Sequence, residues 1–233
     1  MCNHYASSGE WRTKMGVFRQ LLPLFDWSAP RPNVQSDEVY PTNVGEILAP
    51  GEDGALIAAA ASWLFMPWKP GLTWSEWSKT RRGCNNARGE TAETTWPFKA
   101  SAQRSRCLIP GEAFYEWDDA ASKKDGGPGK TEYRFAYPDG CAFFFAGLCN
   151  RVEPPDVGPM LTYAMITKPA GGDTASIGHP RQPVILTPDD VAAWLDPNTP
   201  IASFTERLDP AGAFTVAAVK GPKASVAQDA GGT

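Results

Sequence analysis

The stretch RCLIPGEAFYEW, residues 106–117, decides the fold, because it contains two short apolar and aromatic runs. Such runs, punctuated by proline and glycine, are typical of consecutive strands, and we predict strands over 106–109 and 113–117. Similar runs elsewhere predict further strands over 55–60, 133–137, 142–148, 161–167 and 183–186. The sequence therefore predicts a sheet-rich fold.

Two helices are predicted around these strands. Ser7 and Glu10 have the spacing of a capping box, and apolar residues follow at helical intervals, which predicts a helix over 9–24. The apolar residues are Trp11, Met15, Phe18 and Leu22. A second helix should begin at Thr187, as N-cap, and end near Pro197. Residues 118–131 are predicted to form a polar, mobile loop.

The composition favours a single domain. The 233 residues, 42% hydrophobic and 21% charged, can bury a core, and we predict one mostly antiparallel α+β domain over 1–225 and a flexible tail over 226–233. No apolar run reaches the roughly 20 residues that span a bilayer. The N-terminus lacks the regions of a secretion signal. We expect a cytoplasmic monomer that does not bind membranes.

The cysteines and histidines argue against disulfides and metals. The five cysteines are odd in number, and no pair has Cys-x-x-Cys spacing. Cys107, Cys141 and Cys149 lie in apolar runs, which predict buried and reduced thiols. The two histidines, His4 and His179, belong to no Cys/His cluster. We therefore predict neither a metal nor a cofactor.

Charge is distributed unevenly along the chain. The net charge of −4 argues against a protein that coats nucleic acid without specificity. Between positions 79 and 106, however, seven basic residues accompany only two acidic ones. The basic residues are Lys79, Arg81, Arg82, Arg88, Lys99, Arg104 and Arg106. This basic strip fits a groove for an anionic ligand, although on charge alone a solvated face is the simpler interpretation.

Cys2 is the first candidate for chemistry. Removal of the initiator methionine ahead of a small residue leaves an α-amine and a thiol on one residue. Their reference pKa values, about 7.7–8.0 and about 8.5, give each a useful fraction of nucleophile near neutral pH. The amine can condense with an aldehyde to an imine, and the thiol can then close on the imine carbon as a thiazolidine.

Four motifs follow Cys2 in order: NARGET at 86–91, RCLIP at 106–110, FYEW at 114–117 and HPRQPVIL at 179–186. As an ordered set they resemble the SRAP family, the SOS response-associated peptidases or abasic-site processing proteins, up to about Asp196. The resemblance implies a barrel-like sheet with flanking helices. It also implies a DNA-damage function, in which a thiazolidine crosslink at Cys2 captures abasic sites in single-stranded DNA, and an association with the nucleoid while DNA is bound.

The resemblance also implies four catalytic roles. Cys2 matches the covalent residue, and Asn86 matches an asparagine whose amide can hold the Cys2 amine or the sugar. Glu116 matches a glutamate suited to proton transfer. His179 matches a histidine thought to assist the opening of the sugar ring.

Five residues are expected to contact DNA. Arg88 and Arg181 match positions that hold phosphates, and Trp68 can stack on a base or wedge the strand. Arg81 and Arg82 of the basic strip are expected to bind the backbone. His4 stands where the family often has arginine, so an arginine contact at that position is absent or replaced by His4.

Three other functions remain open. N-terminal-nucleophile amidohydrolases also begin with an exposed cysteine, but their usual Cys-Gly-Ile start does not match Cys2-Asn3-His4. A thiol peptidase that cleaves its own Met1–Cys2 bond is compatible with crosslinking, as is a lyase activity. A non-covalent single-strand binding module would rely on the basic strip and the tryptophans, and would be indifferent to Cys2.

Overall fold

A computed structural model describes the chain except residues 1, 24, 52–54, 81–83, 121, 208, 210 and 225–233. The strands are β1 (Tyr5–Ala6), β2 (Glu38–Val39), β3 (Val44–Pro50), β4 (Leu56–Ser62), β5 (Asn86–Arg88), β6 (Arg106–Gly111), β7 (Ala113–Trp117), β8 (Glu132–Ala136), β9 (Phe143–Val152), β10 (Met160–Pro169), β11 (Arg181–Pro183), β12 (Ile185–Leu186) and β13 (Thr215–Lys220). The helices are α1 (Phe18–Leu21), α2 (Trp74–Thr80), α3 (Lys99–Ala102), α4 (Gly172–Ser176), α5 (Asp190–Leu195) and α6 (Ala202–Thr205).

The larger sheet closes on itself. Strands β10, β4, β3, β6 and β9 follow one another, and a further pairing of β9 with β10 completes the ring. β5 and β11 add to β10, and β12 adds to β9. Only the pairings of β10 with β4 and with β5 are parallel among those described. The predicted α+β fold with a mostly antiparallel, barrel-like sheet is therefore confirmed.

The smaller sheet brings the start of the chain to a distant hairpin. Its order is β13-β8-β7-β1-β2, and all of its pairings are antiparallel. Tyr5 lies opposite Phe114, and the Tyr115 amide donates to the His4 carbonyl at 3.0 Å. The residues just before Tyr5 therefore lie beside the end of β7.

The central strands are apolar on both faces because each face is buried in a different cluster. In β6, Cys107 and Ile109 join the cluster that contains Tyr5, whereas Leu108 joins the cluster that contains Trp11. In β9, residues 143–146 alternate between the two clusters in the same way. A strand covered on both faces needs a continuous apolar run, which explains the sequence pattern.

The predicted helix over 9–24 is wrong. Turns occupy residues 9–14, and only Phe18–Leu21 is helical, because Gly16 adopts a φ of 48° that interrupts a right-handed helix. Trp11 and Met15 are nevertheless buried, as their spacing indicated. The capping box is absent, since the Ser7 hydroxyl is buried with no hydrogen-bond partner among the described residues.

Two smaller predictions also need correction. The strand over 183–186 divides at Val184, because its amide donates to Ile166 of β10 while its carbonyl accepts from Ala146 of β9, so the chain crosses from one strand to the other. Cys141 is only partly buried and precedes β9, unlike the buried Cys107 and Cys149.

The second predicted helix is present as α5, but Asp189 and not Thr187 occupies its N-cap position, and no side chain caps the helix there. It begins at Asp190, whose carboxylate accepts from the Thr187 amide and hydroxyl at 2.9 and 2.7 Å, and it buries Val191 and Trp194. The loop over 118–131 contains a short 3-10 turn, Lys123–Asp125. The predicted tail lies outside the described residues. Within the described ranges, no helix combines the length and the apolar character needed to cross a membrane.

Candidate active site

Cys2 lies just before β1 and is fully buried in the cluster that contains Tyr5. Its carbonyl accepts hydrogen bonds from the side-chain amides of Asn86, at 2.6 Å, and Asn85, at 3.3 Å. Asn86 is the first residue of β5, which pairs with β10 opposite Met165. The barrel therefore presents Asn86 to Cys2 across 84 positions of sequence.

The buried Glu116 and the half-buried His179 form a pair beside this segment. Glu116 is on β7 and is 2% exposed, and His179 follows α4. The Glu116 Oε2 atom lies 3.1 Å from His179 Nε2, and the Trp117 carbonyl lies 2.8 Å from Nδ1. Because a carbonyl only accepts, the short contact places a proton on Nδ1, and a neutral imidazole then offers Nε2 as an acceptor.

The electrostatics of the pair agree with this arrangement. Burial raises the pKa of Glu116 from 4.5 to about 8, and the nearby Glu132 carboxylate contributes to the rise. Burial also lowers the pKa of His179, and the positive charge of Lys130 acts in the same direction. At neutral pH the proton therefore lies on Glu116, which donates to a neutral His179.

The Cys2 thiol responds to the same surroundings. Burial raises its pKa well above the ordinary value, and the Glu116 carboxylate adds to the rise. While Met1 is attached, Cys2 is thus a poorer source of thiolate than its reference pKa predicts, which corrects the expectation from sequence. The pairing of Tyr5 with Phe114 and the hydrogen bond from the Tyr115 amide to the His4 carbonyl bring the segment that contains Cys2 alongside Glu116. The four predicted catalytic residues therefore lie together.

Two buried acceptor atoms at the site have no hydrogen-bond partner among the described residues. They are Asn86 Oδ1 and Glu116 Oε1. Leaving a buried polar atom unpaired costs about 1–3 kcal/mol, so such atoms indicate a place where a ligand or a new donor completes the hydrogen bonds. Both atoms belong to residues that already contact or influence Cys2.

A pocket of about 580 Å³ opens beside this group, and its lining includes Glu116, Trp117, Lys130, His179 and Lys220. Across the described residues, no cluster of three or more His, Cys, Asp or Glu side chains could hold a metal ion.

His4 lines the same pocket in a closely packed setting. Its ring stacks between Tyr40 and Tyr115, with centroids at 4.2 and 3.8 Å, and its nitrogens contact Glu38 at 2.5 Å and Glu132 at 3.3 Å. The two carboxylates and two tyrosines hold His4 where the family often has arginine. The sequence did not predict these four neighbours of His4. They come from three distant segments, and no motif links any of them to His4.

The predicted DNA contacts fall into three groups. Trp68 is 72% exposed and Arg88 is also exposed, so both are available to a ligand. Arg181 instead directs its guanidinium at both oxygens of Glu90, at 2.9 and 2.8 Å. Arg88 and Arg181 lie on opposite flanks of β10, opposite Thr167 and Pro169. Arg81 and Arg82 lie outside the described residues.

The residues of the basic strip do not all lie on one surface, because Arg106 is only 2% exposed. Its guanidinium donates to the carbonyls of Ala102, Trp194 and Asp196, and lies 4.9 Å from the Trp194 ring centroid. Arg106 therefore anchors α5 to the barrel, and counting it as a ligand-binding base was wrong. Local sequence offered no sign of this, since the Trp194 and Asp196 carbonyls that accept from Arg106 follow about 90 residues later.

The fold and this site define an α+β protein with a candidate catalytic centre around Cys2. A family model described as SOS response associated peptidase (SRAP) matches residues 1–222, and the chain belongs to that family. The resemblance drawn from the ordered motifs is therefore confirmed.

Relatives and solved structures agree with this membership. The chain is 30% identical over 135 residues to the abasic site processing protein YoqW of Bacillus subtilis, a match that covers 58% of each chain. It is 29% identical over 140 residues to the abasic site processing protein HMCES of Gallus gallus, covering 51% of this chain and 40% of that one. A crystal structure of a Bordetella bronchiseptica protein matches 94% of this chain and 100% of its own, with 26% identity and a TM-score of 0.69.

Proposed function

We propose that this protein processes abasic sites in single-stranded DNA by capturing them covalently at Cys2 after Met1 is removed. The observation that carries the proposal is the convergence of Cys2, Asn86, Glu116 and His179 from separate segments of the chain, with two unpaired acceptors among them. The abasic-site processing named for the relatives supports it, although the matched regions span at most about 58% of those proteins.

The capture chemistry balances with water as the only leaving group. Hydrolysis of the Met1–Cys2 bond frees the α-amine, whose nitrogen attacks the aldehyde carbon of the opened sugar. Loss of water gives an imine. The thiol sulfur then adds to the imine carbon while its proton passes to the imine nitrogen, which closes the thiazolidine. The thiol can react in this way without first becoming an abundant thiolate, which suits the raised pKa of Cys2.

The unpaired acceptors have roles in this scheme. The Asn86 side chain already holds the Cys2 carbonyl, so its Oδ1 atom is a suitable acceptor for an N–H of the freed amine. Glu116 carries a proton at neutral pH and can deliver it to the departing hydroxyl, then remove one when water attacks the adduct in reverse. His179 moves the proton needed by the sugar-ring oxygen.

DNA binding completes the proposal. Arg88 and Arg181 are suited to hold phosphates on the two flanks of β10, and Trp68 offers an exposed ring for stacking. Arg181 must exchange its Glu90 contacts for phosphate oxygens, and both groups can accept two parallel hydrogen bonds from a guanidinium. Arg81 and Arg82 are proposed to contact the backbone.

The direct test mixes the protein with single-stranded DNA that carries one abasic site, followed by a denaturing gel and intact-mass measurement. We expect an adduct that survives denaturant and whose protein part lacks Met1. Cys2→Ala should lose the stable adduct, because its amine can form only a reversible imine. Cys141→Ala, which changes a partly buried thiol outside the site, is the matched control and should crosslink normally. A stable adduct from Cys2→Ala would defeat the thiazolidine mechanism.

A further inference from the structure

A second cavity adjoins the candidate active-site pocket. Its volume is about 750 Å³, and Trp117, Lys130 and Lys220 line both it and the active-site pocket. Lys123 and Lys124 line the second cavity alone. The two cavities therefore adjoin at Trp117, Lys130 and Lys220, and together they reach from Glu116 and His179 to Lys123 and Lys124.

The four lysines give this second cavity, the lysine cavity, a positive charge. Within the described part of the chain, none of the four has a carboxylate oxygen within 4.0 Å, in contrast to Lys14 and Lys223, which are paired with Glu112 and Asp118. The Lys220 ammonium lies 5.8 Å from the centre of the Trp117 ring. Unpaired ammonium groups around one concavity produce a potential that concentrates anions.

The backbone holds two of these lysines in place. Ser122 caps the 3-10 turn Lys123–Asp125, since its hydroxyl accepts from the Lys124 amide at 3.1 Å. Gly126 ends the turn in the left-handed region, at a φ of 76°. The segment that sequence analysis described as a polar loop thus presents Lys123 and Lys124 from an ordered turn.

We propose that the lysine cavity binds the phosphodiester backbone of the DNA strand on one side of the abasic nucleotide. This inference rests on the proposed function, because it identifies the path of the strand as it leaves the catalytic pocket. A lysine ammonium is a point charge without the planar fork of arginine, which suits contacts that hold a backbone without reading bases. The continuity of the two cavities through Trp117 favours a nucleic-acid strand over a separate acidic partner.

The test uses a probe that cannot crosslink, so that it is independent of the chemistry at Cys2. The probe is a labelled single strand of roughly 15 nucleotides with a tetrahydrofuran abasic analogue at its centre. Binding is measured by fluorescence anisotropy over a range of salt concentrations. Lys123→Gln/Lys124→Gln is compared with Arg19→Gln/Arg151→Gln, which removes the same charge from two exposed residues that line neither cavity.

We expect the lysine pair to weaken binding and to reduce the slope of log Kd against log salt by about 1.4, since each single-strand phosphate contact contributes about 0.7. The arginine pair should change the slope much less. A probe with neutral methylphosphonate linkages throughout should abolish the difference between the two variants. Thermal unfolding of both variants checks that they fold alike.

Three results would overturn the inference. They are equal losses for the two variant pairs, an unchanged salt slope for the lysine pair, and a difference that persists on the neutral probe. Competition by a poly-glutamate peptide as strong as that by unlabelled DNA would also count against it, since the lysine cavity would then be an acidic-peptide site. Failure of the crosslinking assay with natural abasic DNA would instead defeat the proposed function and leave these binding results interpretable.

Discussion

At the scale of single residues, Glu116 combines a cost to stability with a proposed catalytic use. Its pKa rises on folding from 4.5 to about 8, so the unfolded chain releases this proton at lower pH than the native protein does. Below about pH 4.5 the group is protonated in both states, so the free energy of unfolding does not depend on its titration. As the pH rises from there toward about 8, the free energy of unfolding falls by at most about 1.4 kcal/mol per pH unit. A buried acid of this kind is typical of sites where function opposes stability.

Glu116→Gln should therefore unfold at higher denaturant concentration than the native sequence, with a gap that grows between pH 5 and pH 8 and levels off above it. Urea unfolding at pH 5, 7 and 9 measures this. Glu112→Gln is a control of opposite sign, because the Lys14 contact lowers the pKa of Glu112 despite its partial burial, and its removal should destabilise the protein at neutral pH. A pH-independent gap for Glu116→Gln would show that Glu116 is ionised in the native state.

The same pair predicts a difference between two catalytic variants. His179→Ala should slow crosslinking chiefly because the sugar stays closed, whereas Glu116→Gln should slow both capture and release, because the proton relay is lost. An open-chain aldehyde substrate should therefore rescue His179→Ala more than Glu116→Gln in a crosslinking time course. Equal rescue of both would mean that Glu116 and His179 act only as a unit.

At the scale of elements, β1 positions Cys2 although it has only two residues. β1 pairs with β7 along one edge and with β2 along the other. The Tyr5 hydroxyl also contacts the Tyr163 hydroxyl of β10 at 2.5 Å, and both residues are fully buried. This contact joins the smaller sheet to the barrel. The position of the reactive residue therefore depends on a hydrogen bond between strands 158 residues apart.

Tyr5→Phe should destabilise the protein by about 1–3 kcal/mol, because it leaves the Tyr163 hydroxyl buried without this partner. Tyr5→Phe/Tyr163→Phe should cost less than the sum of the two single changes, since the double variant buries no orphaned hydroxyl. Chemical denaturation of the four proteins in the cycle measures the coupling. Strict additivity would mean that the two hydroxyls do not depend on each other.

At the scale of the whole molecule, the basic residues of the strip lie partly on the surface and partly in the interior. Arg88 is exposed at the end of β5, whereas Arg106 is buried under α5. Arg88→Gln should reduce the salt dependence of DNA binding on any base context and leave the melting temperature nearly unchanged. Arg106→Gln should lower the melting temperature, because it strands the carbonyls that the guanidinium satisfies.

Anisotropy titrations in two base contexts and thermal unfolding separate these effects. Loss of binding by Arg88→Gln in only one context would indicate base recognition instead of backbone contact. A stable Arg106→Gln protein with weakened binding would restore Arg106 to the DNA surface.

The amino-acid sequence by itself determined seven strand regions, but not β1, β2, β3, β5 or β13, and it supplied the candidate reactive groups. The strand predicted over residues 113–117 coincides with β7, because a run of apolar and aromatic side chains reports burial directly. The ordered motifs likewise supplied the roles that we propose for Cys2, Asn86, Glu116 and His179. The apolar spacing before Leu22 correctly indicated burial but not a helix, because a chain that turns along a sheet buries residues at similar intervals, and the left-handed Gly16 is not visible in that spacing.

Only the tertiary structure decided how the candidate residues come together and how burial shifts their pKa values. Several features depend on contacts between residues that are far apart in sequence. They are the pairing of the two-residue β1, the enclosure of His4, the burial of Arg106 and the contact of the lysine cavity with the candidate active-site pocket. Local patterns report which side of an element is covered. Strand pairing, the desolvation of a side chain and its pKa depend instead on which residues pack against that side. Those residues can come from any part of the chain.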